Sequence, residues 1–493
     1  MVSTPNSVYG PSLALLTDLY QLTMAYSYWK SGTHNKEAVF HLYFRKPPFH
    51  GGLGVACGLH YTIDFLKKFW IDETDISYLT TLCGSDGKPL FSPEFLTYLG
   101  NLRFSCDVDC VPEGTVVFPN EPLLRISGPI VECQLLETAL LNIWNFQTLI
   151  ASKANRIRQA AGTNPVLEFG CRRAQGIDGA LTASWAAHVG GCDSTSNVLA
   201  GKIFDIPVSG THAHSWVMCF DDELTAFKKY AESMPNNCIF LVDTYDTLQG
   251  VKHAIEVGKI LKSNGQKLQG IRLDSGDLAY LSMEARKLLD EAGFTDAQIV
   301  ASNDLDENII ASLNAQGACI DVWGVGTKLV TAFDQPALGG VYKLAATREP
   351  GQEWKYTIKL SEQAAKISTP GIQQVRRFHK DGRFIADAIY DTNAEKSANF
   401  VVVDPLDPTR RKFISSEVEY HELLLPIFRK GKAVYEAPGR LDVKRFVAMQ
   451  LEKFHPTIRR LMNPHEYPVG LEIGLQKVRN DLILKARGLN NVL

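Results

Sequence analysis

No apolar run in this chain of 493 residues reaches the roughly 18 needed to cross a bilayer, so no membrane-spanning helix is expected. There is no CxxC pair. The ten cysteines are scattered, and several sit in apolar strand-like runs such as NNCIFLVD, which reads as reduced thiols in a cytoplasmic protein and not as a disulfide framework or a zinc site. There is no excess of either charge: 51 Lys and Arg against 54 Asp and Glu give −3, without the basic footprint of a nucleic-acid binder. Neither a fixed-period repeat nor a low-complexity tract occurs, which excludes solenoids, fibres and disordered chains. The opening MVSTPNSVYG has neither the basic stretch nor the apolar stretch of a secretory leader.

What is present is ordinary globular composition, 45% hydrophobic and 21% charged. At about 150 residues per domain, the length suits two or three domains or one barrel with additions. TDLYQLTMAYSYWKSG (17 to 32), GLHYTIDFLKKFW (58 to 70) and the stretch 135 to 162 have helical periodicity. AVFHLYFRKPPF (38 to 49) alternates as a strand, and 106 to 133 reads as a small sheet broken by Pro and Gly. In the middle, short apolar runs recur with polar clusters behind them. They begin near residues 165, 205, 238, 268, 297 and 319, with helical stretches such as 250 to 265 and 280 to 293 between. Buried strands alternating with helices predict a parallel sheet covered on both faces, and six such units suit an irregular (β/α) barrel. After about 340 the pattern is strand-like again, with a hairpin around Asp381-Gly382, and terminal helices are expected over 441 to 462 and 470 to 488. The expected division is an N-terminal α+β domain (1–140), a barrel (141–345) and a C-terminal segment (346–493) that completes the α+β layer.

In a parallel barrel the working residues gather at the carboxyl ends of the strands. Here those ends are all polar. FGCRR (169 to 173) joins an aromatic ring to two guanidinium groups, suited to a flat ring and a phosphate. IRLDSGD places Arg272, Asp274 and Asp277 together, a pattern fit for a ribose diol, a hydrated Mg²⁺ or a planar carboxylate. GVGTK (324 to 328) offers a glycine turn whose N–H groups can approach a phosphate, with Lys328 adding charge. SGTHAHSW carries His212 and His214. Without further metal ligands at suitable spacing, an accessible imidazole there serves as nucleophile or acid/base, and DTYD (243 to 246) supplies carboxylates to orient it.

Together the strings TDLYQLTM, EFGCRR, DSTSNVLAG, SGTHAHSW, RLDSGD, SNDLDE and GVGTKLVT, in this order from about residue 17 to 370, resemble the nicotinate phosphoribosyltransferases, a type II phosphoribosyltransferase family. The resemblance implies the α/β fold of that family, an irregular (β/α) barrel with an additional α+β domain built from both ends of the chain. It implies transfer of the phosphoribosyl group of 5-phosphoribosyl 1-diphosphate to nicotinate in NAD salvage, coupled to ATP hydrolysis through a phosphohistidine, with Mg²⁺. It implies His214 as that histidine and Asp274 beside it in catalysis, and it leaves open whether His212 takes part. It places nicotinate against Tyr20 of a partner subunit, Phe169, Thr211, Arg272 and Ser196. Phosphoribosyl diphosphate would meet Arg172, Asp277, Asn303, Asp304, Gly326 and Thr327. Mg²⁺ would ride on the diphosphate, with Asp274 and Asp277 as candidate ligands. A homodimer with shared sites is implied, and neither nucleic acid nor membrane. Nicotinamide-using relatives carry an acidic residue in the segment where Ser196 and Asn197 stand here, which favours nicotinate. The alternatives are a nicotinamide phosphoribosyltransferase and a non-catalytic phosphosugar-binding relative.

Overall fold

The computed structural model describes residues 12–395 and 399–489, so the opening MVSTPNSVYG lies outside the described residues. The chain divides into two compact units. One is made of two flanking segments, Ser3–Leu149 and Ala337–Leu493, and the other of Ile150–Pro336. The changeover falls within a 25-residue helix, Glu137–Ala161.

The inner unit alternates short strands and helices. Its strands are β1 (Val166–Glu168), β2 (Ser194–Thr195), β3 (Ile239–Leu241), β4 (Gly270–Leu273), β5 (Gln298–Ala301) and β6 (Val322–Val325), all parallel in the order β2-β1-β6-β5-β4-β3. The last strand pairs with the first, Trp323 opposite Val166 and Val325 opposite Glu168, which curls the sheet into an irregular barrel. Helices Thr247–Ser263, Leu278–Glu291 and Glu307–Ala315 follow β3, β4 and β5. Each begins with an aspartate, Asp246, Asp277 or Asp306, whose carboxylate accepts from a backbone N–H of the first turn.

The barrel departs from the sequence reading at one place. A strand was expected from residue 205 on apolar Ile206 and Val208, but only Val208 pairs, as a single parallel bridge to Thr195. Asp205 is left-handed (φ 57°) and Pro207 has no N–H to donate, so the run cannot continue a ladder. The strand before it is the short β2, inside the polar string DSTSN. Between Val208 and β3 the seam is bridged by a side chain: Leu241 donates its N–H to His212 Nε2 at 3.3 Å.

The flanking-segment unit holds two sheets. In a seven-stranded antiparallel sheet, Glu37–Phe44 lies between Leu124–Pro129 and Gly340–Arg348, so chain from before and after the barrel is interleaved. A six-stranded sheet contains the expected hairpin Gln373–Lys380/Arg383–Asp391, turned at Asp381 (φ 51°) and Gly382 (φ 74°) as a two-residue turn requires. The terminal helices are shorter than the periodicity predicts. Arg440–Lys453 stops ahead of Pro456, and Val469–Glu472 is a strand paired to Arg383–Asp391 before the helix Ile473–Ala486 begins. The core of this unit encloses Arg377, which is bonded by two nitrogens to Asp387, at 3.0 Å from Nε and 2.6 Å from Nη2. The rings of Phe118, Phe384 and Phe454 surround that guanidinium.

Candidate active site

The carboxyl ends of β1 to β6 bring one connected set of side chains together. Arg272, on β4 and only 15% exposed, is held at three nitrogens. Nε donates to Ser302 Oγ (2.8 Å), Nη1 to Thr211 Oγ1 (3.1 Å) and Nη2 to Asp274 Oδ1 (3.0 Å). Its guanidinium lies 5.5 Å from the centroid of the Phe169 ring. Ser302 Oγ donates to Asp274 Oδ1 in turn. Burial raises the Asp274 carboxyl, but the Ser302 hydrogen bond and the charges of Arg272 and His214 outweigh it, and the group is held below its ordinary value.

His214 opens the short helix His214–Val217. Its Nδ1 is 3.2 Å from Thr244 Oγ1 and its Nε2 is 3.7 Å from Asp274 Oδ2. The ring is 41% exposed, so an incoming group can reach it. The carboxylates of DTYD, expected to orient this imidazole, do other work. Asp243 Oδ2 accepts from the Asp274 N–H (2.9 Å) and Ser275 Oγ (2.6 Å), while Asp243 Oδ1 is buried without a hydrogen-bond partner. Asp246 caps a helix. Thr244, between them, is the one that meets the ring.

His212 faces the other way. It is buried against Phe227, Tyr230 and Phe240, and its ring nitrogen closes the barrel seam. Burial pushes its pKa down to about 4, with Arg272 and His214 adding to the shift and a backbone hydrogen bond at Ala213 opposing it.

The floor is built by Glu168, at the end of β1. Its Oε2 accepts from Ser184 Oγ (2.9 Å) and Thr195 Oγ1 (2.5 Å), and Oε1 from the Gly170 N–H. Phe169, half-buried, follows it and packs against Gly324 of β6, where a Cβ would come within 2.8 Å of the ring. Ser196 follows β2, its N–H bonded to Glu168 O at 2.9 Å. Asn197 caps the next helix through Ala200 N–H. Asp193 is tied to Arg158 (3.0 Å) and the Val166 N–H (2.9 Å). Arg172 is exposed on the 3₁₀ turn Cys171–Arg173. Asn303 and Asp304, after β5, are two consecutive non-glycine residues with positive φ, 92° and 43°, a strained turn of the kind found where backbone meets ligand. Gly326 and Thr327 follow β6 at the start of the helix Thr327–Val330. Lys328 does not stand free for an anion: it pairs with Asp306 at 2.8 Å. Asp277 is exposed and caps its helix through the Tyr280 N–H. Tyr20 belongs to the flanking-segment unit, half exposed on the helix Leu19–Lys30.

Three family models cover most of the chain. The nicotinate phosphoribosyltransferase N-terminal domain matches residues 15–145, the nicotinate phosphoribosyltransferase family model residues 165–359, and the C-terminal domain residues 372–479. A nicotinate phosphoribosyltransferase of Bacillus subtilis is 48% identical over 471 residues, covering 93% of each chain. The chain belongs to the nicotinate phosphoribosyltransferase family. The Homo sapiens nicotinate phosphoribosyltransferase is 33% identical over 95% of this chain and 96% of its own. A crystal structure of human nicotinic acid phosphoribosyltransferase superposes with a TM-score of 0.83 at 31% identity, over 94% of this chain and 99% of that one. The family's α/β architecture, with N- and C-terminal domains about a central parallel sheet, is thus the architecture of this chain.

Sequence reasoning marked Ser302, Thr244 and Glu168 only as members of polar strand ends. The structure singles them out as the groups that touch Arg272, His214 and the turn carrying Phe169. The signal that was available is positional: each lies at or just past the last residue of a parallel strand.

Proposed function

We propose that this chain joins nicotinate to the ribose 5-phosphate of 5-phosphoribosyl 1-diphosphate, releasing diphosphate and forming nicotinate mononucleotide for NAD salvage. The observation that carries the reading is Arg272, fixed on three sides by Thr211, Ser302 and Asp274 with one face toward Phe169. A planar guanidinium so fixed suits the carboxylate of an aromatic ring stacked on Phe169. Tyr20 of a partner subunit would take the other face of the ring in a homodimer. The Ser196-Asn197 segment presents no carboxylate, and the neighbouring Asp193 is neutralised by Arg158. A carboxylate substrate meets no repulsion from either.

The ribosyl centre gains positive charge as its bond to diphosphate breaks, so the protein's task is positioning and charge stabilisation. Arg172, the strained Asn303-Asp304 turn and Gly326-Thr327 are the groups we assign to the phosphoribosyl diphosphate. Mg²⁺ would accompany the diphosphate. Among the described residues no three His, Cys, Asp or Glu side chains converge as a ligand cluster, Asp274 Oδ1 is taken by Arg272 and Ser302, and Asp277 caps a helix. These residues do not fit a protein-held ion.

ATP coupling is assigned to His214. Nδ1 toward Thr244 and Nε2 toward Asp274 leave Nε2 without a short hydrogen bond. A bond from Nε2 to the γ-phosphorus forms as the bond to the β-bridging oxygen breaks, and ADP leaves with that electron pair. Hydrolysis of the phosphohistidine returns phosphate. The charge added at His214 would order the strand-end loops around it. The test is product formation from phosphoribosyl diphosphate with nicotinate or nicotinamide, each with and without ATP, for wild type and His214→Ala. Nicotinate mononucleotide, raised by ATP only in the wild type, is expected. Turnover of nicotinamide alone would overturn the substrate, and ATP stimulation surviving in the variant would overturn the phosphohistidine.

A further inference from the structure

The flanking-segment unit carries a half-open cavity of about 1290 Å³, larger than a typical small-molecule site. Its walls come from the loop 404–410, the start of the strand Arg411–Ile414, the loop 463–468, the strand Val469–Glu472 and the helix Ile473–Ala486. Arg479, on that helix, lines it and is 5% exposed.

Among the described residues three arginines of this unit are buried: Arg376, Arg377 and Arg479. Arg376 is bonded to Glu422 at 2.7 Å and Arg377 to Asp387 at 2.6 Å. Arg479 has no carboxylate partner among the described residues. It makes only long bonds to two carbonyls, Ser368 O and Pro405 O, both 3.4 Å. A buried guanidinium without a counter-charge is costly, and burial pushes this one below its ordinary value. Three more cations, Arg45, Arg411 and Lys412, line the same cavity outside any ion pair among the described residues. Lys412 donates to Ile385 O (2.7 Å) and Arg411 to Pro408 O (2.8 Å). The acids on the walls are engaged: Asp404 and Glu466 flank Arg410, at 3.4 and 2.8 Å, and Asp407 accepts from Thr409. His50, His465 and Tyr467 complete the charged or titratable lining. Four cations without a carboxylate suit a dianion better than a carboxylate, and a planar guanidinium grips phosphate through two nitrogens.

We propose that this cavity is a second anion site, in which Arg479 and Lys412 bind the phosphate of a phosphorylated small molecule. The site is independent of the reading given for the barrel.

The test is thermal unfolding of the whole chain against increasing inorganic phosphate, and separately against ribose 5-phosphate, for wild type and Arg479→Met. The wild-type midpoint should rise with ligand by mass action. The variant should unfold no lower than wild type without phosphate, since it replaces an uncompensated buried charge by an apolar side chain, and should lose about tenfold or more in phosphate response. Phosphate binding at the barrel would persist in both proteins, so the difference between them reads this cavity alone. A larger difference between wild type and variant with ribose 5-phosphate than with phosphate assigns the cavity to a phosphate ester, and equal differences assign it to the free ion. Identical curves for wild type and variant would overturn the proposal. Should Arg479→Met fail to fold, Arg479→Lys and Lys412→Met enter the same titration, and unchanged responses in both would overturn it equally.

Discussion

Two histidines stand two residues apart in THAHS, and their surroundings separate their chemistry. His214 keeps an exposed edge and a carboxylate facing it. His212 is enclosed by three aromatic rings and accepts a backbone hydrogen bond through Nε2, a role open only to the neutral ring. With its pKa at about 4 in the fold and near 6.5 in the unfolded chain, the unfolded state binds the extra proton between those values. The stability His212 contributes is therefore present above about pH 6.5 and is lost as pH falls toward 4. Replacing it by Gln keeps an acceptor and removes the titration. Urea unfolding of His212→Gln at pH 7.5 and pH 5 should show a smaller loss on acidification than wild type. An equal loss in both proteins would remove His212 from the account. His212→Leu leaves the Leu241 N–H unsatisfied and should cost about 1–3 kcal/mol at neutral pH.

At the level of the element, β6 matters for what it omits. A methyl at Gly324 would stand 2.8 Å from two carbons of the Phe169 ring, and that ring, half-buried, can yield only by leaving its place over Arg272. Gly324→Ala should raise the KM for nicotinate by about tenfold with a smaller change in thermal midpoint, because misplacement near the chemistry is felt more in catalysis than in folding. An unchanged KM in steady-state kinetics would refute this use of the glycine. The strands that support the site differ in how plainly the chain announces them. β5 and β6 carry Ile299 and Val322 in continuous apolar runs, and β4 carries Ile271 and Leu273 on either side of Arg272, so all three are visible at once. β2 is two polar residues, Ser194 and Thr195, whose strand character comes only from the ladder beside them. The run at 205 looked better on hydrophobicity and is worse on hydrogen bonding, since Pro207 interrupts it. Lys328 was read as a charge for phosphate, and no spacing rule could place Asp306, from a different strand end, against it. Likewise DTYD offered two acids for His214, and the fold presents the threonine. Residue types at strand ends were legible, whereas pairings between strand ends depend on barrel geometry.

On the scale of the whole chain, one unit is assembled from two segments with the other unit between them in sequence. Strand Glu37–Phe44 has neighbours from both segments, Leu124–Pro129 and Gly340–Arg348. Ending the chain after Pro336 would strip Glu37–Phe44 of its partner on one side and Asp107–Cys110 of Leu425–Arg429, leaving two bare edges. Such a truncation should aggregate, while residues 150–336 keep every barrel strand. Limited proteolysis and circular dichroism of the truncated chain would check this, and a soluble, protease-resistant N-terminal segment would contradict it. The buried Arg377–Asp387 pair belongs to the later segment, and Asp387→Asn should lower stability by about 3 kcal/mol, because it leaves the guanidinium only the more distant carboxylate of Glu121 at 4.0 Å. The same interleaving sets a timetable for synthesis. When Leu124–Pro129 leaves the ribosome, its sheet still lacks the strand from 340, about 210 residues away, which at 5–20 residues per second is a wait of roughly 10–40 s. The nascent chain completes its barrel within that interval, with three of the seven strands of the other sheet already made and waiting for their partners.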